Sequence, residues 1–341
     1  MGVQIKDIVP IQESSLEQLQ GKIIAIDAMN TLYQFLSIIR QSDGTPLKDS
    51  KGRITSHLSG LFYRTSNLIE KGIRPVFIFD GEPPELKSKT IETRRTLRAE
   101  AEKARKKALK EGKEKEALKY AQRSARLTEE MSGESKTLLD AMGVPWIQAP
   151  EEGEAQAARL TQNEDSWAAG SQDFDSLLFG APRLLRNLTI TGKRKLPGKD
   201  VYKEIVPEVI SLEKLSEEQE ITREQLIAIG ILVGTDYNPG IKGIGPKRAL
   251  KLVQEHGTIS DILEAEEDLE FEVDPIEIEE IFLEPNVTDD YEVSWSEPNP
   301  DAIKEFLCEE HDFSESRINT SIERLEKGAS KRSQESLEKW V

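Results

Sequence analysis

Seven carboxylates stand in this chain at places where side chains can meet a ligand: Asp27, Asp80, Glu152, Glu154, Asp173, Asp175 and Asp236. Asp27 closes the apolar run KIIAID at 22–27, and Asp80 closes RPVFIFD at 74–80. Glu152 and Glu154 open a helical stretch in PEEGEAQAARL. Residues two apart do not share a face of a regular helix. At a helix entry the backbone is not yet regular, so both can still turn to one site. Asp173 and Asp175, in SQDFDSLLFG, lie on one side if that segment is extended. Each acid has an ordinary explanation: the helix dipole favours acids in a first turn, and an aspartate after a strand is often a turn residue or a cap. As a set they say more. Carboxylates gathered without histidine or cysteine repel one another unless hard cations lie between them, and oxygen-only ligands suit Mg²⁺ or Mn²⁺. Two such ions, roughly 4 Å apart, can clamp the attacking and leaving oxygens of a phosphodiester.

The elements that must position these acids are legible in outline. The runs at 22–27 and 74–80 are continuously apolar rather than alternating, which predicts strands buried on both faces. Between them, residues 56–71 carry apolar side chains at helical spacing, and a third strand fits 166–172, leading into Asp173. Strand–helix–strand order predicts an α/β fold with a central, mostly parallel sheet flanked by helices. Ligand sites in such sheets open outside the carboxyl ends of the strands, where Asp27 and Asp80 stand.

Two further segments are marked by charge and by glycine. Residues 87–126 hold 15 basic and 6 acidic residues, and no proline follows Pro84 up to residue 131. The stretch 85–131 reads as two helices, or one broken at Gly112. A solvated charged helix would look the same. The net charge of +9 and the position straight after Asp80 favour a phosphate-binding role. Residues 222–257 read as helix, hairpin, helix, with PGIKGIG at 239–245 and Pro246 in the first turn of the second helix. Gly243, Ile244 and Gly245 expose backbone N–H groups beside a helix start, a setting that favours phosphate, and Lys242, Lys247 and Arg248 add charge. An ordinary glycine turn between helices is the alternative.

Composition bounds the rest. The chain has 341 residues, 32% of them charged, enough for one large or two ordinary domains. Cys308 stands alone and there are 3 histidines, which excludes a disulfide framework and a cysteine-rich zinc site. No apolar run is long enough to span a bilayer and the start MGVQIKDIVP lacks a signal-peptide core, so a cytoplasmic protein is expected. The formal charge of −17 misleads: residues 261–315 hold 22 acidic residues and one basic, a net of −21, so everything else carries +4. Loop and short helix are expected over 264–298, helix over 301–327, and no regular structure over 330–341.

The motifs IIAIDAMN, FIFDGEPPELKS, APEEGEAQAA, SQDFDSLLFG and VGTDYNPGIKGIGPKRA run in that order over residues 1–257, and FLCEEHDFSESRI follows. In this order they resemble the flap endonucleases of the XPG-like structure-specific 5′ nuclease family, in their archaeal form. The resemblance implies an N-terminal nuclease region at 1–98 with a helical arch at about 85–131. It implies an internal nuclease region at 116–258 that includes the helix-hairpin-helix element at 222–257, then an acidic segment and helices at 259–325 on the same domain. A flexible clamp-binding tail would occupy 326–341.

The resemblance also implies roles. The seven acids would bind two Mg²⁺ ions, with Mn²⁺ able to substitute, and Lys87 and Arg94 would contact the scissile phosphate as catalytic residues. Tyr33 would stack on the base beside the cut, and Arg40, Thr55 and Arg64 would contact the duplex on its 3′ side. Carbonyls of Gly240, Ile241 and Ile244 would hold K⁺ beside the duplex, and Lys242, Gly243, Gly245, Lys247 and Arg248 would complete the hairpin contact. Gln334, Leu337 and Trp340 in QESLEKWV resemble a sliding-clamp docking motif, although Val341 stands where a second aromatic is usual. His311 falls where eukaryotic members carry lysine.

The implied activity is hydrolysis near the base of a 5′ flap, with 5′–3′ exonuclease activity, in Okazaki fragment maturation and DNA repair, by a monomer. A relative acting on other junctions, a non-catalytic clamp-tethered junction binder, and a small-molecule phosphatase are the alternatives. The last would need the acids but neither the hairpin nor the basic arch.

Overall fold

The computed structural model describes residues 2–41, 44–190, 192–195, 202–266 and 268–338. A short strand β1 (Gln12–Glu13) precedes β2 (Ile23–Asp27), helices α1 (Ala28–Ile38) and α2 (Ser56–Glu70), and β3 (Arg74–Phe79). Helices α3 (Ser88–Lys110), α4 (Glu114–Arg123) and α5 (Glu129–Ala141) lead to β4 (Trp146–Gln148), α6 (Gly153–Gln162) and β5 (Ala168–Gly170). Then come α7 (Asp175–Leu178), β6 (Arg183–Arg186), the hairpin strands β7 (Gly192–Lys195) and β8 (Tyr202–Ile205), and β9 (Glu208–Ser211). The C-terminal part is helical: α8 (Leu212–Gln219), α9 (Arg223–Val233), α10 (Pro246–His256), α11 (Ile259–Ala265), α12 (Pro275–Leu283), α13 (Pro300–Lys304), a π-helical turn at Glu305–Glu310, and α14 (Glu315–Glu338). None of these helices is long and apolar enough to cross a membrane.

Seven strands form one sheet in the order β1-β9-β6-β5-β2-β3-β4. From β6 to β4 every pairing is parallel, and β9 and β1 add an antiparallel edge. β2 and β3 are paired parallel neighbours, flanked by β5 and β4, with Ile24 opposite Pro75 and Ile26 opposite Phe77. Their side chains alternate between two cores. Ile24, Ile26, Phe77 and Phe79 join the core under α1, α2, α5 and α14. Ala25, Val76 and Ile78 join the core under α6, α7, α9, α10 and α12. Burial on both faces is why these runs are apolar at every position. The third expected strand is shorter than 166–172, because the ladder stops at Gly170 and Ser171 turns its hydroxyl to the acids instead.

The basic stretch is a broken helix. Gly112, at φ +70°, reverses the chain between α3 and α4. Ala101 and Ala108 on α3 and Ala117 and Ala121 on α4 are buried against each other, so two mostly charged helices pack through a seam of small side chains. At its base α4 meets the body so closely that a Cβ on Gly44 would lie 3.2 Å from the Leu118 backbone.

Residues 284–299 form an extended strap along α6. Gln156 bonds the Thr288 backbone in both directions, at 2.8 and 2.9 Å, Arg159 grips Asp289, and the Trp295 indole donates to the Pro75 carbonyl at 3.0 Å. Beyond it α14 lies along α2, and Gly328 sits where a Cβ would come within 2.5 Å of the Ile69 carbonyl oxygen. The tail differs from the expectation of no regular structure over 330–341: α14 continues through Glu338. Lys331 reaches the Glu70 carbonyl at 3.5 Å and Arg332 the Ser296 carbonyl at 3.0 Å, which anchors the helix just before the expected docking motif. Gln334 and Leu337 fall on this last stretch, and Trp340 lies outside the described residues.

Candidate active site at the carboxyl edge of the sheet

The topology brings all seven acids to one edge. Asp27 ends β2 and Asp80 follows β3, its paired neighbour. Asp173 and Asp175 follow β5, which pairs β2 on the other side. Glu152 is the N-cap of α6, still extended at φ −79° and ψ 122°, whereas Glu154 lies in the first helical turn. Asp236 comes from the loop between α9 and α10. One local expectation fails. Asp173 and Asp175 are not on an extended segment, since Phe174 has φ −92° and ψ 0° and Asp175 opens α7. Both still reach the site, because the turn after Gly170 is bonded to α1 and to the N-terminus rather than to a neighbouring strand.

N–H and O–H donors orient the acids. The Gly153 N–H donates to Asp80 at 2.9 Å, and Gly153 is glycine because a Cβ there would come within 2.5 Å of that carboxylate. The Asn30 N–H donates to Asp27 at 3.0 Å and its side-chain amide to Asp173 at 2.8 Å. The Ser171 hydroxyl donates to Glu154 at 2.8 Å, and the Val3 N–H to Asp175 at 2.7 Å. Gly2 passes so near that a Cβ would lie 2.6 Å from an Asp175 oxygen.

Burial and mutual repulsion govern the charges. Burial, then the Asp80 charge, pushes Asp27 well above the usual carboxylate range. Burial and Glu152 raise Asp80 to about 6, and burial and Asp236 raise Asp175 to about 7. Burial and Asp175 likewise push Glu154 well up. Asp236 goes the other way: burial would raise it, but Lys87 and Arg94 beside it hold it down. Lys87 bonds Glu152 at 2.8 and 2.6 Å and lies 3.5 Å from Asp236, while Arg94 pairs with Asp236 directly. Lys87 ends a short 3-10 turn and Arg94 lies in the second turn of α3, so the base of the arch delivers both cations to the acids.

An all-oxygen donor set in which Asp27, Asp80, Glu154 and Asp175 are pushed up by burial and by neighbouring acids fits divalent cations such as Mg²⁺. Among the described residues, though, no three histidine, cysteine, aspartate or glutamate side chains already stand arranged around one ion. The Lys87 ammonium lies between Glu152 and Asp236 and offsets part of the repulsion.

The remaining sequence-predicted residues spread over the surface beside this edge. Tyr33, on α1, carries the Arg98 guanidinium of α3 over its ring at 5.3 Å, facing the arch. Arg40 braces the turn after α1 through the Ser37 and Gly44 carbonyls, at 3.2 and 2.9 Å. Thr55 is buried at the start of α2, and Arg64 is exposed on it. In the hairpin, Gly240 has φ +73° and no room for a Cβ, which would meet the Val233 oxygen at 2.2 Å. Gly243 has φ +86° in open space. Ile241 and Ile244 are tied by an N–H to carbonyl bond of 3.0 Å, and Ile244 is buried. Lys242, Gly243, Gly245, Lys247 and Arg248 are exposed.

Sequence reasoning passed over Asn30, Ser171, Val3 and Tyr237. Tyr237 is buried beside Asp236 with its ring edge-on to Phe282, and burial together with the charges of Glu152 and Asp175 raises its phenol. Asn30 carried a usable signal: it stands three residues after Asp27, the spacing at which an N-cap aspartate meets a backbone N–H.

Comparison with known proteins agrees with the geometry. The profile of the XPG N-terminal domain matches residues 1–101, and that of the XPG I-region matches 143–236. The chain is 59% identical to flap endonuclease 1 of Hyperthermus butylicus over 331 residues, 96% of this chain and 95% of that protein. It is 55% identical to flap endonuclease 1 of Staphylothermus marinus over 348 residues, 100% of this chain and 99% of that one. The solved flap endonuclease-1 from Methanococcus jannaschii superposes with a TM-score of 0.77 at 43% identity, covering 97% of this chain and 100% of that one.

Proposed function

Because the chain belongs to the flap endonuclease family, we propose that it hydrolyses a DNA phosphodiester near the base of a 5′ flap, with Mg²⁺ held by Asp27, Asp80, Glu152, Glu154, Asp173, Asp175 and Asp236. The observation that carries this reading is the convergence of those seven acids with Lys87 and Arg94 at one sheet edge. Two divalent cations bound there would supply positive charge to the attacking and leaving oxygens and make water a competent nucleophile. Mn²⁺ would serve in their place.

The chain's own groups do the rest. Lys87 and Arg94 are held on acids that divalent cations would neutralise. In the complex with DNA both would turn to the scissile phosphate, whose charge grows in the transition state. They stand at the start of α3, so engagement of the 5′ strand by the basic face of α3 and α4 would be coupled to their arrival. Tyr33 offers a ring for the base beside the cut. The hairpin at 239–245 presents backbone N–H groups and Lys242, Lys247 and Arg248 to the duplex backbone, without reading sequence. A K⁺ ion at the Gly240, Ile241 and Ile244 carbonyls would add to that contact. Arg64, exposed on α2, would contact the duplex on its 3′ side together with Arg40 and Thr55. The tail, through Gln334, Leu337 and Trp340, would tether the enzyme to a sliding clamp.

The test is cleavage of end-labelled 5′-flap, 3′-flap, nicked and single-stranded DNA in Mg²⁺ and in EDTA. Mg²⁺-dependent cutting near the base of the 5′ flap is expected, with weaker exonuclease cutting at nicks. Tight flap binding without cutting in Mg²⁺ would refute the proposal. Cutting confined to another branch structure would refute the flap preference.

A further inference from the structure

We propose that Asn30 and Ser171 are positioning residues that set the spacing of three acids, Asp27, Asp173 and Glu154, and thereby the affinity of the site for divalent cations. The inference rests on the metal reading above. It starts from one residue that serves two acids. Asn30 lies in the first turn of α1 and donates its backbone N–H to Asp27 Oδ1 at 3.0 Å and its side-chain Nδ2 to Asp173 Oδ2 at 2.8 Å. Asp27 ends β2, and Asp173 belongs to the turn after the adjacent strand β5, so Asn30 spans two elements that no ladder bond joins beyond Ile26 and Gly170. Ser171 completes the bracket. Its hydroxyl donates to Glu154 Oε1 at 2.8 Å, accepts the Asp173 N–H at 3.3 Å, and stands 3.5 Å from Asp27 Oδ2.

The chemistry separates these two from Lys87 and Arg94. Like-charged carboxylates in a buried site push apart, and a cation can enter between them only if their oxygens stay within reach of one point. A lysine or arginine holds an acid by charge and competes with the incoming cation. An amide or a hydroxyl holds it by a hydrogen bond that engages one oxygen and is compatible with a cation on the other. The neutral donors can therefore stay in place when divalent ions bind, and they fix the carboxylate planes beforehand. Outer donors of this kind are typically worth about 10- to 100-fold in metal affinity.

The experiment is Mn²⁺ titration of the DNA-free full chain, followed calorimetrically and by the electron paramagnetic resonance signal of free Mn²⁺. The wild type, Asp173→Ala, Asn30→Leu, Ser171→Ala and Ser171→Thr are compared, with circular dichroism to confirm folding. The wild type should bind and Asp173→Ala should lose affinity, which holds the metal reading itself to account. Asn30→Leu keeps the backbone N–H and the bulk but loses the amide, and Ser171→Ala loses the hydroxyl. Each should weaken Mn²⁺ about 10-fold or more, while Ser171→Thr, which keeps the hydroxyl, stays near wild type. In flap cleavage the Mg²⁺ concentration for half-maximal rate should rise to match, with the KM for DNA unchanged. Wild-type Mn²⁺ affinity in both Asn30→Leu and Ser171→Ala, beside a defective Asp173→Ala, would overturn the inference and leave the metal site standing. Failure of the wild type to bind Mn²⁺ would overturn the metal reading, and the inference with it.

Discussion

At the scale of single residues, position in the site decides which property a substitution moves. On the proposed reading Asp173 would hold a cation and not touch the duplex, so Asp173→Ala should abolish cleavage while flap binding, followed by fluorescence anisotropy in Ca²⁺, stays within a few-fold of wild type. Lys87 and Arg94, paired here with Glu152 and Asp236, would on the same reading act on charge that develops during the reaction. Alanine at either should therefore lower single-turnover rates by about 10²- to 10³-fold and affinity far less. Equal losses in both quantities would show that they serve ground-state binding instead. The raised acids also carry a pH signature. Asp80 at about 6 and Asp175 at about 7 sit above their ordinary values, so the folded chain holds protons that the unfolded chain gives up. Their contribution to stability is full below about pH 4 and is lost as pH rises through 6 and 7. In EDTA the melting temperature should fall between pH 5 and pH 8, and Mg²⁺ should raise it more at pH 8 than at pH 5. An Mg²⁺ effect equal at both pH values would break that link.

Elements are held in register by a few contacts that no single helix could specify. Gly60 on α2 faces Phe35 on α1, and a Cβ there would come within 2.2 Å of the ring. Gly60→Ala should cost about 1–3 kcal/mol by forcing α1 away from α2, read as a lower denaturant midpoint. Away from the site, Glu134 on α5 bonds the buried His57 of α2 at 3.0 Å and stands 3.7 Å from His311, where the chain turns into α14. His311 in turn lies 3.7 Å from Asp49, whose carboxylate also holds Arg53. Three chain segments meet on one glutamate. Glu134→Ala should lower stability by about 2–3 kcal/mol, since it strands buried imidazole donors, and chemical denaturation would show it. Flap cleavage below the melting temperature should persist, because this cluster belongs to none of the elements that carry the acids.

For the whole molecule the distribution of charge matters more than its sum. The chain is −17 overall, but the arch stretch 87–126 is +9 and residues 261–315 are −21. The base of α3 meets the acids through Lys87 and Arg94, and much of the acidic segment is bound up in α12 and the strap that braces α6. DNA binding should therefore weaken steeply with salt despite the negative total. Replacing Lys103, Lys106, Lys107 and Lys110 together by glutamine should reduce the slope of log K against log salt by about one for each phosphate that is no longer neutralised. An unchanged slope would remove the arch from the phosphate-binding surface.

The sequence alone determined the α/β class, the two parallel strands β2 and β3 and the acids at their ends. Burial on both faces forces continuous apolar runs, and a charged residue at the end of such a run can sit only at the sheet edge. It determined the break in the basic helix and the two helices on either side of residues 234–245 as well, because Gly112, Gly240 and Gly243 have backbone angles that other residues resist. What the tertiary structure decided was every relation across sequence distance. Asn30 meets Asp173 143 residues away, Val3 meets Asp175 172 residues away, and Lys87 meets Glu152 65 residues away. No local period encodes such pairs, since they arise only when strand order sets β5 beside β2 and brings the turn at Glu85–Lys87 to the start of α6. For the same reason the extended reading of Asp173 and Asp175 failed, and α14 runs to Glu338 where no regular structure was expected. Alternation within a short segment cannot show that its next hydrogen bond goes to α1, or that Arg332 will find the strap.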